Sequence, residues 1–245
     1  MIPKIIHYCW FGGNELPQSA QKCIASWRKF LPDYEIKRWD ESNFDVNMIP
    51  YTAQAYAARK WAFVSDYARM WILYREGGLY FDTDVEVIAP MDDIIERGAF
   101  MGIEVPGGPG ELPKVAPGLG LGVEPGHPIY KALLEHYAEQ QFMDADGKIV
   151  GGTVVTHNTQ VLAEHGMRAT NELQEVEGIW IYPMDFFNPL EDATGRLNKT
   201  ANTRSIHWYS KTWVSNYGPV RLWLTRWAHR LLGVDFKQRL KRWIS

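Results

Sequence analysis

The stretch that decides the fold is "SDYARMWILYREGGLYFDTDVEV", Ser65–Val87. It joins the end of a predicted helix (52–76) to a predicted strand (79–88) through a pair of glycines that stops the helix. Asp82 and Asp84 fall inside this strand, where aspartate is unfavourable. The strand is therefore expected to lead into a functional site.

The chain before this stretch predicts a parallel sheet. "KIIHYCWF" (4–11) is typical of a buried strand, Pro17 opens an amphipathic helix that runs to Leu31, and "YEIKRWD" (34–40) follows as a second strand. A strand, helix, strand order favours an α/β fold with parallel strands. Ligands of such sheets gather at the carboxyl ends of the strands, where the Asp pair is expected.

Composition and charge narrow the class of protein. The chain has 245 residues, 46% of them apolar, enough for one large core, and its net charge of −3 argues against a nucleic-acid binder. Cys9 and Cys23 have neither zinc-site spacing nor the density of a disulfide-stapled domain, so a reducing compartment is expected. With no signal-peptide pattern and no long apolar run, a soluble or peripheral cytoplasmic protein is expected.

The second half contains one unusual segment. Residues 102–126 hold eight glycines and five prolines, which predicts an irregular binding loop or lid. Helices are predicted over 128–142 and within 151–166. "IWIYP" (179–183) and "RSIHWYS" (204–210) are typical of strands.

The end of the chain has its own charge and pattern. Residues 219–245 contain seven Lys or Arg and one Asp, so this tail carries +6 and the remainder −9. Trp223, Trp227 and Leu231 are spaced for a helix, and a second stretch (236–244) is also apolar on one side and basic around it. A Trp-rich face with basic residues indicates an interfacial helix on an anionic membrane. The alternative is a helix that packs its Trp face on the domain.

Two carboxylates at positions i and i+2 can both reach one hard cation if the backbone bends there. Such oxygen-rich sites suit Mg²⁺ or Mn²⁺ bridging to phosphates, although Asp-x-Asp is also frequent by chance. Asp66 and Arg69, three residues apart, can form a simple surface ion pair. Taken alone, Trp10 fits a core aromatic and His207 a strand histidine bonded to a carbonyl.

The stretch also resembles a known family. Ser65-Asp66, Arg69, the glycine pair, Tyr80 and Asp82-Thr83-Asp84 are similar to the DXD-containing sugar-binding region of glycosyltransferase family 32, which includes yeast mannosyltransferases and capsule enzymes and is related to clostridial glucosylating toxins. "KIIHYCWFGG", "GLGLGVEPGHP", "IYPMDFFNP" and "HWYSKTW" resemble the family's flanking elements, so the resemblance covers about 1–213.

The resemblance implies an α/β GT-A fold, Rossmann-like with a mostly parallel sheet, over residues 1–215. The tail lies outside the resemblance, and its own pattern predicts basic amphipathic helices over 216–245. The resemblance also implies roles for individual residues. The implied metal ligands are Asp82, Asp84 and His207; the implied donor-binding and catalytic residues are Trp10, Asp66, Arg69, Tyr80, Asp82, Asp84, Ser210 and Trp213.

The implied reaction is a metal-dependent, retaining transfer of a hexose or N-acetylhexosamine from a nucleotide sugar, UDP-linked rather than GDP-linked, with Mn²⁺ or Mg²⁺. The implied acceptor is a saccharide or lipid-linked saccharide in capsular polysaccharide or glycolipid synthesis, at the inner face of the cytoplasmic membrane. Two alternatives remain open at this point. One is a haloacid-dehalogenase-type phosphatase with Asp82 as nucleophile, and the other is a non-catalytic sugar-binding protein at the membrane surface.

Overall fold

The computed structural model describes residues 1–210 and 219–233. Trp213, the boundary expected between residues 215 and 216, and the second basic stretch (236–244) lie outside the described residues.

The predicted parallel start is present. Strand β1 (Ile5–Cys9) and strand β2 (Glu35–Trp39) pair in parallel, and helix α1 (Gln18–Phe30) connects them. Helix α1 buries the face formed by Ala20, Cys23, Ile24 and Trp27, as its spacing of apolar residues predicts.

The single helix predicted over 52–76 is in fact two helices, α2 (Pro50–Ala57) and α3 (Trp61–Glu76). They are separated by Arg59, whose φ of 55° lies in the left-handed region and ends the first helix. No glycine or proline marks this break, so the sequence pattern ran through it.

The strand predicted over 79–88 is also divided. Strand β3 (Gly78–Tyr80) joins the central sheet beside β1, whereas strand β4 (Val85–Val87) pairs with strand β12 (Ser205–His207) in a separate two-stranded sheet. Asp82, Thr83 and Asp84 therefore form the turn between two sheets, which is the bend that a shared cation requires.

The central sheet has the order β2-β1-β3-β7-β5-β9-β8, and β6 pairs with β5. Its second half consists of β5 (Phe100–Val105), β6 (Lys114–Ala116), β7 (Leu121–Val123), β8 (Gln174–Val176) and β9 (Ile179–Tyr182). Strands β1, β2, β3, β5 and β9 run in one direction and β6, β7 and β8 in the other. This topology confirms the predicted α/β fold class with a mostly parallel central sheet.

The expectation that 102–126 is irregular throughout is wrong, although 106–113, 117–120 and 124–126 do lie outside helices and strands. The expected role of this segment as a lid stays a prediction. This segment forms most of β5 and all of β6 and β7, because its glycines make room for aromatic rings. A Cβ on Gly102 would lie 2.6 Å from the Phe187 ring, and a Cβ on Gly122 would overlap the Phe100 ring. Here glycine serves close packing within a sheet.

The remaining elements cover the sheet and extend from it. They are α4 (Asp92–Arg97), α5 (Pro128–Ala138), α6 (Val154–Glu164), α7 (Met184–Phe187), β10 (Leu190–Glu191), β11 (Arg196–Leu197) and α8 (Pro219–Leu232). Two buried clusters form the core, one containing residues of α3 and α5 and the other containing α1 and Phe187. Among the described residues, the helices are too short or too polar to cross a membrane.

Candidate functional site

A cavity of about 560 Å³ opens where β1, β3 and β5 end. These three strands run in the same direction, so their carboxyl ends meet at one edge of the sheet, where ligands of α/β proteins bind. Side chains or backbone of the following residues line it: Trp10, Trp61, Ser65, Asp66, Arg69, Asp82, Thr83, Asp84, Glu104, Lys114, Gly118, Thr153, Asp192, His207 and Tyr209.

Arg69 organises one side of this cavity. Its Nη2 donates to Oδ1 of Asp66 at 3.0 Å, and its Nη1 donates to Oδ2 of Asp82 at 3.2 Å and to the carbonyl of Pro117 at 2.9 Å. Its Nε donates to the carbonyl of Ser65 one helical turn earlier. The Arg69 side chain is 4% exposed, so it is a buried clamp between two carboxylates and not the surface ion pair that spacing alone allowed.

Burial and charge act in opposite directions on these groups. Burial raises the pKa of Asp66 to about 7; Arg69 partly opposes this rise, and the nearby Asp82 adds to it. Burial works to lower the pKa of Arg69, but the charge of Asp82 and the other nearby acidic groups raise it overall, so its guanidinium remains charged. Asp66 therefore changes its charge near neutral pH beside a permanent cation.

Tyr80 and Arg69 hold the carboxylate of Asp82 in place by hydrogen bonds. The hydroxyl of Tyr80 donates to Oδ1 of Asp82 at 3.2 Å, and the guanidinium of Arg69 lies over the Tyr80 ring, 4.8 Å from its centroid. The structure places Tyr80 in the core at 1% exposure, and it does not line the cavity. A Cβ on Gly118 would collide with Oδ2 of Asp82, so only glycine leaves this carboxylate its place.

Asp84 is held by the segment that follows β12. Nε2 of His207 lies 3.2 Å from Oδ1 of Asp84, and Ser210 donates to Oδ2 from its backbone N–H at 2.8 Å and its Oγ at 2.9 Å. Burial works to raise the pKa of Asp84, but His207 and the two hydrogen bonds from Ser210 hold it well below its usual range. Asp84 is therefore ionised at neutral pH. Ser210 contacts Asp84 and does not line the cavity.

Of the two ring nitrogens of His207, Nε2 contacts Asp84. Burial works to lower the pKa of His207, but Asp84 raises it above the usual value, with Asp82 and Glu104 adding to the effect. Its Nδ1 is buried and has no hydrogen-bond partner among residues 1–210 and 219–233, and its ring lies 4.1 Å from the ring of Tyr209, centroid to centroid. His207 thus bonds to a carboxylate of the DXD turn, not to a strand carbonyl.

Tyr209 links the segment after β12 to Glu104 on strand β5. Its hydroxyl donates to Oε1 of Glu104 at 3.2 Å and accepts from Nδ2 of Asn188 at 2.7 Å. Its φ of 52° is left-handed, an unfavourable conformation for tyrosine that the surrounding contacts must hold. Burial raises the pKa of Glu104, while His207 and the Tyr209 hydroxyl lower it in part.

The donor set suits a hard divalent cation. Asp82 and Asp84 offer carboxylate oxygens, and His207 offers an imidazole with one buried nitrogen that no described residue bonds, a combination that Mn²⁺ and Mg²⁺ accept. Within residues 1–210 and 219–233, however, no three His, Cys, Asp or Glu side chains already have the spacing of a metal site. The 3.2 Å pairing of Asp84 with His207 joins two of the candidate ligands directly to each other.

Two tryptophans line the cavity near the end of β1. Trp10 follows β1 and donates from Nε1 to the carbonyl of Asn14 at 2.7 Å. Trp61 begins α3 and approaches Gly12 so closely that a Cβ there would lie 2.6 Å from the indole Nε1. Sequence reasoning missed Trp61, although Trp61, Ser65 and Arg69 lie at four-residue steps and therefore share one helical face.

Glu104, Tyr209 and Asp192 were also missed as cavity residues. Tyr209 lies beside the predicted His207 and Ser210, so adjacency was an available signal. Glu104 and Asp192 carried none, because folding alone brings them to this edge.

The sequence that contributes part of this site is similar to a known protein family. Residues 17–101 match the family model described as a glycosyltransferase sugar-binding region containing a DXD motif. The matched segment includes Asp66, Arg69, Asp82 and Asp84, the residues clustered around the turn between β3 and β4. The resemblance recognised in the sequence is therefore confirmed over this segment.

Known proteins that match part of this chain in sequence are named as glycosyltransferases or mannosyltransferases. The chain is 33% identical over 111 residues to inositol phosphoceramide mannosyltransferase 3 of Schizosaccharomyces pombe, covering 44% of this chain and 31% of the relative. It is 25% identical over 198 residues to an uncharacterized glycosyltransferase of Acanthamoeba polyphaga mimivirus, covering 77% and 76%. The match spans about a third of the length of the two yeast mannosyltransferases it resembles.

Two solved glycosyltransferase structures align with this chain, each with a TM-score below 0.5. The PaToxG glycosyltransferase has a TM-score of 0.49 at 21% identity, covering 66% of this chain and 69% of that one. The galactosyltransferase LgtC has a TM-score of 0.44 at 14% identity, covering 91% and 95%.

Proposed function

We propose that the protein is a metal-dependent, retaining glycosyltransferase that moves a hexose or N-acetylhexosamine from a nucleotide sugar to a saccharide or lipid-linked acceptor. The observation that carries the proposal is the Asp82-Thr83-Asp84 turn. It lies between two sheets at the carboxyl end of β3 and faces the cavity with Arg69 on one side and His207 on the other.

Asp82, Asp84 and His207 would hold Mn²⁺ or Mg²⁺. When bound, the ion neutralises the negative charge that develops on a departing nucleoside diphosphate. The protein prepares for this cation by keeping Asp84 ionised through Ser210 and His207. It also fixes the Asp82 carboxylate through Tyr80 and Arg69.

Asp66 and Arg69 would orient the donor sugar. A carboxylate accepts hydrogen bonds from sugar hydroxyls, and a guanidinium fixed by four acceptors offers its remaining face to hydroxyl or phosphate oxygen. Because both side chains are almost fully buried, their positions are set before the donor binds.

The nucleotide base would lie between the tryptophans at the end of β1. Trp10 and Trp61 provide broad apolar surfaces on the same cavity, suited to a planar ring. The preference for UDP over GDP rests on the family resemblance at Trp10.

Retention and the acceptor class have separate support. The acids of the DXD turn are bonded to Arg69, Tyr80, His207 and Ser210, which suits holding a cation better than attacking a sugar carbon. Front-face substitution, in which acceptor oxygen bonds to the anomeric carbon as the bond to phosphate oxygen breaks, follows from the resemblance. A lipid acceptor in glycolipid synthesis agrees with the name of the yeast relatives. The alternative of capsular polysaccharide synthesis follows from the resemblance alone.

The phosphatase alternative requires Asp82 to attack phosphorus. Its oxygens instead accept hydrogen bonds from Tyr80 and Arg69, an arrangement that restrains a nucleophile. No observation on the described residues favours this function or a purely sugar-binding one.

The decisive experiment is donor hydrolysis without acceptor. The protein would be incubated with Mn²⁺ and a panel of UDP- and GDP-sugars, and release of nucleoside diphosphate measured for the wild type, for Asp84→Asn and for Asp33→Asn. Asp33 is an exposed acid in a surface ion pair and serves as the matched control. We expect slow release from one donor, lost in Asp84→Asn and with EDTA, and unchanged in Asp33→Asn.

Hydrolysis of p-nitrophenyl phosphate in place of nucleotide sugars would identify a phosphatase. Metal-dependent donor binding by calorimetry without release would indicate a transferase that requires its acceptor. Absence of any metal-dependent donor binding would contradict the proposed function.

A further inference from the structure

Helix α8 docks on the domain by cationic side chains. Arg226 donates to the carbonyl and the carboxylate of Asp192 at 3.1 and 3.3 Å. Nδ1 of His229 bonds to the carbonyl of Ala193 at 2.8 Å. Arg230 donates to the carbonyls of Thr194 and Gly195 at 2.6 and 2.9 Å. The turn between β10 and β11 thus receives the polar edge of the helix.

The apolar side chains of α8 remain outside. The side chain of Trp223 is 63% exposed, that of Trp227 53% and that of Leu231 62%. Leu224 and Leu232 are also exposed, at 50% and 57%. A helix that only completes the core would bury these residues and expose its arginines. Helix α8 instead leaves these apolar residues exposed and contacts the domain through Arg226, His229 and Arg230. The described residues of the domain therefore do not cover its apolar stripe.

The charge around this stripe is positive. The exposed residues Arg196 and Lys199 follow directly after the turn on which α8 docks, and Arg221 is exposed on the helix itself. In sequence, 219–245 has seven Lys or Arg against one Asp. A second copy of this chain would bring the same positive charge against itself, which opposes pairing through the stripe. A negatively charged surface with an apolar interior complements both features.

We propose that α8 is an interfacial helix that inserts the Trp223–Trp227–Leu231 stripe into the headgroup region of an anionic lipid membrane. Tryptophan is favoured at that depth because its ring is apolar and its N–H can still reach water, and nearby Lys and Arg are attracted to anionic headgroups. The bonds from Arg226, His229 and Arg230 transmit this attachment to the domain.

The docking also orients the cavity. Asp192, held by Arg226, lines the same cavity as Glu104 and His207, so attachment through α8 brings that edge of the cavity close to the lipid surface. A lipid-linked acceptor would then enter from the side on which it resides. This last step rests on the proposed function, whereas membrane attachment does not.

Vesicle co-sedimentation of the full chain tests the attachment. Vesicles of phosphatidylglycerol with phosphatidylcholine would be compared with phosphatidylcholine alone, for the wild type, for Trp223→Ser/Trp227→Ser and for Leu112→Ser/Leu173→Ser. Leu112 and Leu173 are exposed apolar residues outside α8 and form the control pair. Far-ultraviolet circular dichroism verifies that each variant is folded.

We expect wild-type binding to the anionic vesicles only, weakened by about 1 M salt, where the screening length falls to about 3 Å. The Trp pair should lose about tenfold or more in partitioning, and the control pair less than about twofold. Undiminished binding by the Trp variant, or no wild-type binding, would overturn the proposal. So would lipid-free self-association that the Trp variant abolishes. Absence of metal-dependent donor binding in every protein, measured by calorimetry, would instead contradict the proposed function and leave the vesicle result intact.

Discussion

Nε2 of His207 lies 3.2 Å from Oδ1 of Asp84, while Nδ1 of the same ring is buried with no hydrogen-bond partner in the part of the chain that the structure describes. One nitrogen therefore fixes the ring against the DXD turn and the other is unused. A side chain that is both oriented and incompletely bonded is typical of a ligand position.

Replacing His207 by alanine should weaken the metal site. We expect Mn²⁺ affinity, measured by calorimetry with UDP present, to fall about tenfold to a hundredfold, because a ligand and the orienting partner of Asp84 are lost together. His165→Ala is the matched control, since His165 pairs with Glu177 at 2.9 Å on the surface. Equal Mn²⁺ affinity in the two variants would show that His207 is only an ion-pair partner.

Gly118→Ala should damage the site with little effect on the fold. The new Cβ would collide with Oδ2 of Asp82 and lie 3.2 Å from Nη1 of Arg69, so the carboxylate must move. We expect donor hydrolysis to fall about tenfold or more, because a displacement of about 1 Å at a reacting centre can cost a hundredfold. Gly108→Ala, where the added carbon meets only the end of the Glu111 side chain, should keep wild-type activity.

Asp66→Asn should raise stability while lowering activity. The pKa of Asp66 is raised in the folded state to about 7, so its contribution to stability is fully present below about pH 3.8 and is lost as pH rises through 7. The loss amounts to at most about 4 kcal/mol. The difference in unfolding free energy between Asp66→Asn and wild type, from urea titrations at pH 5 and pH 8, should therefore increase with pH. A difference independent of pH would contradict the raised pKa.

His7 predicts the opposite dependence. Nε2 donates to the carbonyl of Gly77 at 2.9 Å, so the ring is neutral and Nδ1 accepts from the Trp39 indole at 3.0 Å. Burial lowers its pKa to about 4, so stability is lost as pH falls from about 6.5 to 4, by up to about 3 kcal/mol. His7→Gln, which can keep one donor and one acceptor, should flatten this part of the unfolding free energy profile. An unchanged slope in urea titrations would assign the loss to other groups.

The sequence predicted those elements whose signals are local. Helix α1 and strands β1, β2 and β9 follow apolar periodicity, and the position of the Asp pair follows from a strand fed by a helix. The division of β3 from β4 could not be read, because it depends on pairing of β4 with β12 about 120 residues later. The glycine-rich segment misled for a related reason, since the rings that require Gly102 and Gly122 are distant in sequence.

In the site, too, some residues had a local sequence signal and others depend on contacts between distant parts of the chain. The family motif located Asp66, Arg69, Asp82 and Asp84 within one short stretch. Glu104 depends on a hydrogen bond from Tyr209 across a separation of 105 residues, which no local pattern contains. Trp61 lies between these cases, because its four-residue spacing from Ser65 was visible before its proximity to Gly12 was known.

The hydrogen bonds from Ser210 to Asp84 join residues 126 positions apart, so the two are synthesised at different times. At the usual elongation rate of about 5–20 residues per second, the ribosome needs roughly 6 to 25 s between adding one and adding the other. Throughout that interval the nascent Asp84 has neither the serine nor the imidazole that restrains it. A translation arrest before residue 207 would therefore leave a polypeptide with most of its sheet but with an acidic turn that has not yet been secured.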